Sequence, residues 1–537
     1  MKRKMSKLAV ASTGLALLAL LLALTRALPL PIIAIPVSIV AVCLGGISIG
    51  TIQRHRARLR GMGLAVAGLI LGLMTMATSG VVIVSTFARE MENRARWQNE
   101  RHAAMRNDAD RAREAMPDEA AADFSSNLPI VVLQTDGRGG SKHARTRVRT
   151  RIFEPHEGRA ALQAAPDHDG WGTINLRGHT SMQLPKQSYT FHTTDAQGKQ
   201  IKVPLLGLPA EEDWVLYAPF EDKSLMRDVL AYELCHRMGR YAPRTRYFEL
   251  FLTEADRAVS MRDYAGVYVL IEKIKRGADR VHIAKLDPTH RAEPEISGGY
   301  IIKRDHQEDD GERFHTDHGG PFFYVYPKPK NITSEQRAWL RKYWNHFEAA
   351  LYGSDFADPN RGYAAYLDVD AFIDQHWLNE LGKNVDAFRY SAFLTKDRGG
   401  KIQPGPPWDW NRSFGNANYY GGGQTHGWYW QRLRPNEISW YVRLREDPVF
   451  VQRCTSRWLA LRQEVFDPAR IHARIDELAA LLQEPQERNF KRWPILGQHV
   501  TSNFYVGQTF EDEVNWLKSW IDRRIAWIDS QIAAPSE

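Results

Sequence analysis

Cysteine is scarce, with three residues in a chain of 537. Cys43 falls within an apolar run, and Cys235 and Cys454 lack ligand-like spacing, so that pair reads as buried thiols. Histidine adds no metal motif, because His236, His282 and His376 each stand apart from any other His or Cys at ligand spacing. No serine lies in a Gly-x-Ser-x-Gly context, which removes the case for a serine hydrolase. Internal repeats are absent too. The net charge of +8 and pI near 9.2 raise the question of nucleic acid. Much of that excess sits beside apolar runs or in scattered arginines, and no nucleic-acid motif accompanies it, so nucleic acid is not an expected partner. What the chain does have is size: 537 residues exceed one ordinary domain, and 43% hydrophobic residues allow a sizeable core.

Residues 1–88 read as a membrane module. Leu8–Leu24, Leu28–Ile52 and Met62–Phe87 are almost wholly apolar, the second interrupted by Pro29, Pro31 and Pro36. Each reaches the roughly 20 residues that cross a bilayer core. Three transmembrane helices are therefore expected, with two and a merged front hairpin as the alternative. The later apolar runs and the lack of a small-residue cleavage site argue against a removed signal peptide. Lys2, Arg3, Lys4 and Lys7 precede the first run; Arg54, Arg56, Arg58 and Arg60 precede the third. Basic residues favour the cytoplasmic side, which puts the rest of the chain outside the cytoplasm, on a multi-pass cell-membrane anchor. The segment Arg58–Gly72 resembles a small bacterial two-helix membrane domain, and its Gly61, Gly63, Gly68 and Gly72 would let helices approach closely. Residues 89–126, polar and rich in Arg, Glu and Ala, read as a charged linker, helical or flexible.

One later stretch organises the remainder. Asp368 can cap a helix in which Phe372, Ile373, Trp377, Leu378 and Leu381 recur at helical spacing before Gly382 stops it. A loop carries Lys383-Asn384-Val385-Asp386. Two strand-like runs follow, Tyr390–Thr395 and Lys401–Gln403, with Asp397-Arg398-Gly399-Gly400 turning between them. The second run leads to Pro407-Trp408-Asp409-Trp410-Asn411-Arg412-Ser413-Phe414-Gly415. A hairpin brings its ends together, so Asp386 and Asp409 are predicted to face one place. Helix, loop with Asp, hairpin, loop with Asp is also how a protein kinase delivers its proton acceptor and its magnesium ligand. The plain alternative is two turn-capping aspartates.

Upstream, Leu128–Asp136 predicts a buried strand followed by a Gly-rich turn, Gly137–Gly140, a weak phosphate-cradle signal. Arg177-Gly178 to Ser181, then Lys186 and the alternating Ser188-Tyr189-Thr190-Phe191, fit a kinase-type phosphate cover. Lys186 is the expected nucleotide-contacting lysine, Arg177 its alternative, and an edge-strand lysine the plain reading. Asp222–Gly239 predicts a helix with Met226, Leu230, Leu234 and Met238 inward, on which Glu233 is the candidate partner for Lys186. Tyr264–Ile274 predicts a strand ending in Glu272-Lys273, where a hinge would face adenine. Asn416–Trp430, rich in Gly and aromatics, takes the place of a substrate-facing loop. Three helices, 447–463, 469–483 and 511–532, close the chain, and Arg488–Trp493 reads as a helix-packing segment.

These words resemble the CotH kinase family, the spore-coat-protein-H-like atypical kinases. The carrying residues are Leu176-Arg177-Gly178-His179-Thr180-Ser181 with Leu184–Tyr189, Asp222–Leu234, Gly266–Ile274, Gly298–Ile302, Asn384-Val385-Asp386, Pro407–Gly415 and Arg488–Pro494. The resemblance runs in order from about Leu128 to the end. It implies an α+β, bilobal protein-kinase-like fold with a helical C-terminal part, over 127–537, with lobes at about 127–275 and 276–537. It also implies an ATP- and Mg2+-dependent transfer of phosphate to a protein serine or threonine. Asp386 would accept the proton, Asp409 would hold the metal with Asn411 and Ser391, and Lys186, Arg177, Glu233 and Glu272 would serve the nucleotide. Two positions depart: Ser391 stands where the family has a metal-contacting Asn, and Asp409-Trp410-Asn411 replaces Asp-Trp-Asp. Both weaken metal binding, so an AMP transferase or a non-catalytic surface or coat assembly protein on the same scaffold are the alternatives.

Overall fold

In the computed structural model the described residues are 4–23, 30–55, 59–135, 142–254, 257–306, 311–434 and 437–533. The Gly137–Gly140 turn and the basic residues Lys2, Arg3, Arg56 and Arg58 lie outside them. The chain divides into two compact units, Met1–Ala104 and Met105–Glu537.

The first unit holds α1 (Lys7–Ala23), α2 (Leu30–Arg54) and the start of α3 (Met62–Glu114). Two stretches are long and apolar enough to cross a membrane, Ala34–Arg54 and Met62–Asn93. At 17 residues, α1 is shorter than these two, at the low end of what spans a bilayer core. Of the four glycines expected at close approaches, two serve. A Cβ at Gly68 would collide with Ser12 of α1, and one at Gly72 would lie 2.7 Å from Val42 of α2. Gly63 faces open space. Ser12 and Thr13 hydroxyls donate to Ala41 and Leu64 carbonyls at 2.8 Å, tying α1 to α2 and to α3.

The second unit is α+β. Its first half is a closed seven-stranded barrel of β1 (Ile130–Thr135), β2 (Thr146–Phe153), β3 (His168–Arg177), β4 (Ser188–Thr194), β5 (Asp213–Tyr217), β6 (Thr245–Glu254) and β7 (Tyr264–Glu272). The order around it is β5-β7-β6-β1-β2-β3-β4, antiparallel except where β1 meets β6. Strand alternation fills it: along β2, Thr146, Val148, Thr150 and Ile152 turn in while Arg147 and Arg149 face water. Trp214, Phe191, Phe248 and Tyr268 occupy the interior.

Between β5 and β6 lies α4 (Arg227–Arg237), which starts five residues later than its apolar pattern predicts. The Asp222 carboxylate explains the delay. It accepts from Ser224 N at 3.1 Å, Arg227 N at 2.8 Å and the Arg227 guanidinium at 2.5 Å, holding 222–226 as a loop that caps the helix.

The second half carries a five-stranded sheet, β8 (Tyr300–Arg304), β9 (Arg313–Phe314), β10 (Phe322–Tyr326), β11 (Ala392–Lys396) and β12 (Ile402–Pro404), ordered β9-β10-β8-β11-β12. The predicted hairpin is its β11–β12 edge, paired Leu394↔Pro404, Thr395↔Gln403 and Lys396↔Ile402. Around it pack α5 (Ser334–Tyr352), α6 (Val369–Gly382), α7 (Trp440–Leu444), α8 (Pro448–Gln463), α9 (Pro468–Arg492) and α10 (Phe510–Ala533). Asp368 caps α6 by accepting from Ala371 N at 3.0 Å, and Lys383 ends it in the left-handed region at φ 44°. Trp377, Trp458 and Trp520 are fully buried where α6, α8 and α10 meet.

Candidate active site

Close packing at the end of α6 joins the two aspartates. A Cβ at Gly382 would lie 2.5 Å from the Trp410 ring, and Phe414 N donates to Gly382 O at 2.7 Å. The loop after β12 therefore rests on the loop after α6, and Asp386 and Asp409 line one cavity of about 430 Å³. Pairing of β8 with β11 sets Arg304 opposite Ala392, which carries Asp305 and His306 to the same wall as Tyr390 and Ser391. The His306 and Tyr390 rings stack at 3.7 Å.

This wall is acidic and its charges are crowded. Asp409 adopts φ 62° and Ser391 φ 52°, and the Ser391 hydroxyl stands 3.5 Å from Asp409 Oδ2. Asp409 is solvent-exposed through the cavity that it lines, although protein atoms crowd around it. Desolvation by the protein packed around the cavity and then the Asp386 charge push its acid up to about 6, against the pull of Arg412. Burial likewise raises Asp386, opposed by Arg412 and His306. A third carboxylate, Asp228 on α4, is raised to about 7 by burial and by Asp409. Such mutual repulsion is what a cation relieves.

The opposite wall comes from the barrel. Arg177, at the end of β3, has its guanidinium 5.3 Å from the Trp408 ring centre; burial lowers its affinity for the proton while the Asp409 charge restores part of it. Lys273, just past β7, lines the same cavity with its ammonium depressed by burial. A cavity of this size with a few convergent polar groups is the usual form of a small-molecule site.

Three predicted residues lie elsewhere. Lys186 is buried outside the cavity, its ammonium donating to Val267 O at 2.6 Å, Asn489 Oδ1 at 2.9 Å and Pro219 O at 3.4 Å. It pins α9 to the barrel, and burial drives its proton affinity well below a lysine's. Glu233 does not reach Lys186: Arg474 of α9 holds it at 2.6 and 2.7 Å. Glu272 is fully buried beneath Arg244, at 2.6 Å, and Arg280, at 3.4 Å, so it offers adenine nothing. The fourth, Asn411, lines the cavity but donates its amide to Glu221 at 2.9 Å, beside the Arg412 guanidinium at 3.1 Å. Asp228 and Asp305 have no counterpart in the sequence expectation, and Lys273 enters it only beside Glu272 at the end of the predicted strand. Only Lys273 had a readable signal, since alternation sends it to the face opposite Glu272.

Among the described residues a second acidic group, Glu211-Glu212-Asp213, is already met by Lys275 at 2.8–3.0 Å. In the cavity, by contrast, Asp228, Asp386 and Asp409 form no ion pair among the described residues, while Glu221 and Asp305 are held by Arg412 and Lys303. An α+β domain with such a cavity fits the result of comparison. A family model described as CotH kinase protein matches residues 174–528, and the chain belongs to that family. No curated protein matches the chain.

Proposed function

We propose that the domain is a kinase-like phosphotransferase, moving the γ-phosphoryl group of ATP to a protein serine or threonine hydroxyl. One observation carries the reading: Asp386 and Asp409, from the two ends of one hairpin, share a cavity with Arg177 and Lys273 of the barrel. In this view the barrel forms the smaller lobe, about 127–275, and the sheet and helices the larger, about 276–537, with the cavity between. Asp386 takes the hydroxyl proton as its oxygen bonds to the γ-phosphorus and the bond to ADP breaks. Arg177 and Lys273 bind and orient phosphate oxygens in place of Lys186. The donor set fits Mg2+, since the carboxylate of Asp409 and the Ser391 hydroxyl are hard oxygen ligands open to the cavity. When bound, the ion neutralises phosphate charge.

Incubation with ATP labelled at the γ or the α position tests the reading. Label from γ alone entering protein is expected; label from α would establish the AMP transferase instead, and no label from either would leave the assembly scaffold. Arg177→Met is expected to weaken a fluorescent ATP analogue by about tenfold or more, because a charge-assisted hydrogen bond of roughly 1.5–3 kcal/mol is lost. Lys186→Met should destabilise the fold and leave that affinity unchanged. The reverse pattern would restore Lys186 as the nucleotide lysine.

The apolar N-terminal helices make a membrane anchor part of the proposal, and the basic residues Lys2, Arg3, Lys4, Lys7, Arg54, Arg56, Arg58 and Arg60, which favour the cytoplasmic side, support a domain outside the cytoplasm. A tag at Glu537 is then expected to be cleaved by protease added to intact cells, and a protected tag would invert the topology.

A further inference from the structure

Asp228 is a buried acid that forms no ion pair among the described residues. It is the second residue of α4, 4% exposed, and lines the cavity. Its Oδ1 accepts from Trp410 N at 2.8 Å and from the Tyr232 hydroxyl at 3.2 Å. The Tyr232 oxygen in turn accepts from Asp409 N at 3.1 Å. One face of α4 thus fixes the peptide groups on both sides of Asp409, and with them the placing of its carboxylate relative to Asp228. Oδ2 of Asp228 makes no hydrogen bond of ordinary geometry, and a weak one from the Tyr217 hydroxyl offsets little of the cost of its burial. A buried carboxylate oxygen without a partner is costly unless something fills the place.

Asn411 carries no charge, and with its amide nitrogen donating to Glu221 at 2.9 Å it has only a neutral Oδ1 to offer a cation. Asn416 and Asn503 lock the same corner, the first through Asn411 O at 2.7 Å and both through Glu221 O. We propose that Asp228 is a metal ligand: its Oδ2, with the carboxylate of Asp409, binds the divalent cation that accompanies the nucleotide in the cavity that both line. This rests on the phosphotransferase reading and deepens it. It assigns the cation two anionic oxygens from different elements, α4 and the loop after β12, which is a donor set of the hard kind that Mg2+ and Mn2+ prefer.

Asp228→Asn separates ligation from architecture. The amide oxygen can still accept from Trp410 N and Tyr232, and only the anionic oxygen is lost. Mn2+ is titrated into the full-length protein in detergent, free ion being followed by electron paramagnetic resonance, with and without a non-hydrolysable ATP analogue. Asp228→Asn and Asp409→Asn are each expected to weaken Mn2+ by about 10–100-fold, as loss of an anionic or orienting group does, and Asn411→Ala by less. Unfolding of Asp228→Asn in EDTA should match the wild type or occur at higher temperature, which shows that the loop is still held. Wild-type Mn2+ affinity in Asp228→Asn, or a larger loss from Asn411→Ala, overturns the assignment. A wild-type protein that takes up no Mn2+ with or without the analogue overturns the phosphotransferase reading along with it.

Discussion

Asp386→Asn is expected to lower phosphoryl transfer by about 10²–10⁴-fold, the usual worth of a positioned general base, with little change in nucleotide affinity. The amide occupies the same space, and the hydrogen bond that shapes the loop, Asp386 N to Asn384 Oδ1 at 3.1 Å, uses the backbone. The side chain itself has only a long contact, from the Tyr419 hydroxyl at 3.5 Å, so its removal orphans little. Phosphate-facing groups Arg177 and Lys273 sit on the other wall and are untouched. The pH profile gives a second readout. Burial raises the Asp386 acid above its ordinary 3.8, and the protonated form cannot accept a proton. Activity should therefore fall as pH drops through that raised value and level off above it. In Asp386→Asn the residual rate should lose this acid limb. A variant that keeps both its rate and its acid limb would assign the proton acceptor to another group, and His306, stacked on Tyr390, is the neighbour to test next.

The parts of this site that the sequence displays are those that local chemistry fixes. Asp368, the apolar spacing and Gly382 mark α6 within one residue, and the Asp397–Gly400 turn marks the hairpin. Both depend on neighbours in the chain. The errors come from contacts between distant residues. Lys186 follows a phosphate-cover-like turn, but whether its side chain enters the cavity or the interior depends on α9, whose Asn489 binds it from 303 positions away. Glu233 looks like a kinase-type helix glutamate until Arg474, 241 positions away, claims it. Asp305 reaches the site only through the pairing of Arg304 with Ala392, a register no local pattern contains. Asp228 is hidden for a different reason. It stands beside Arg227, and neighbouring opposite charges on a helix read as a solvated surface, whereas here Arg227 turns to Asp222 and Asp228 to the cavity.

Arg524→Met is expected to cost about 3–5 kcal/mol of stability, the range for breaking a buried ion pair by removing one partner. Arg524 of α10 and Glu380 of α6 are both wholly buried and meet at 2.8 Å. Burial pulls the arginine down to about 10 and pushes the glutamate up, so each charge is tolerated only because the other is present. The guanidinium does more than neutralise. It donates to Glu380 O at 2.8 Å, Thr425 O at 2.8 Å and Gly427 O at 2.9 Å, while the Glu380 carboxylate accepts from Tyr429 N at 3.0 Å and Trp430 N at 2.8 Å. One pair thus fastens the Gly- and aromatic-rich loop to the last turn of α6, from which Lys383–Asp386 departs. Lysine is no substitute, since a point ammonium cannot serve four acceptors set around a planar fork. Pairing Arg524→Met with Glu380→Leu removes both charges and should recover part of the loss. Full recovery is not expected, because Tyr429 N and Trp430 N would then be buried without acceptors. Urea unfolding of the two single variants and the double variant measures the coupling. If Arg524→Met unfolds within about 1 kcal/mol of wild type, solvent reaches Glu380 and this fastening is not what holds the loop.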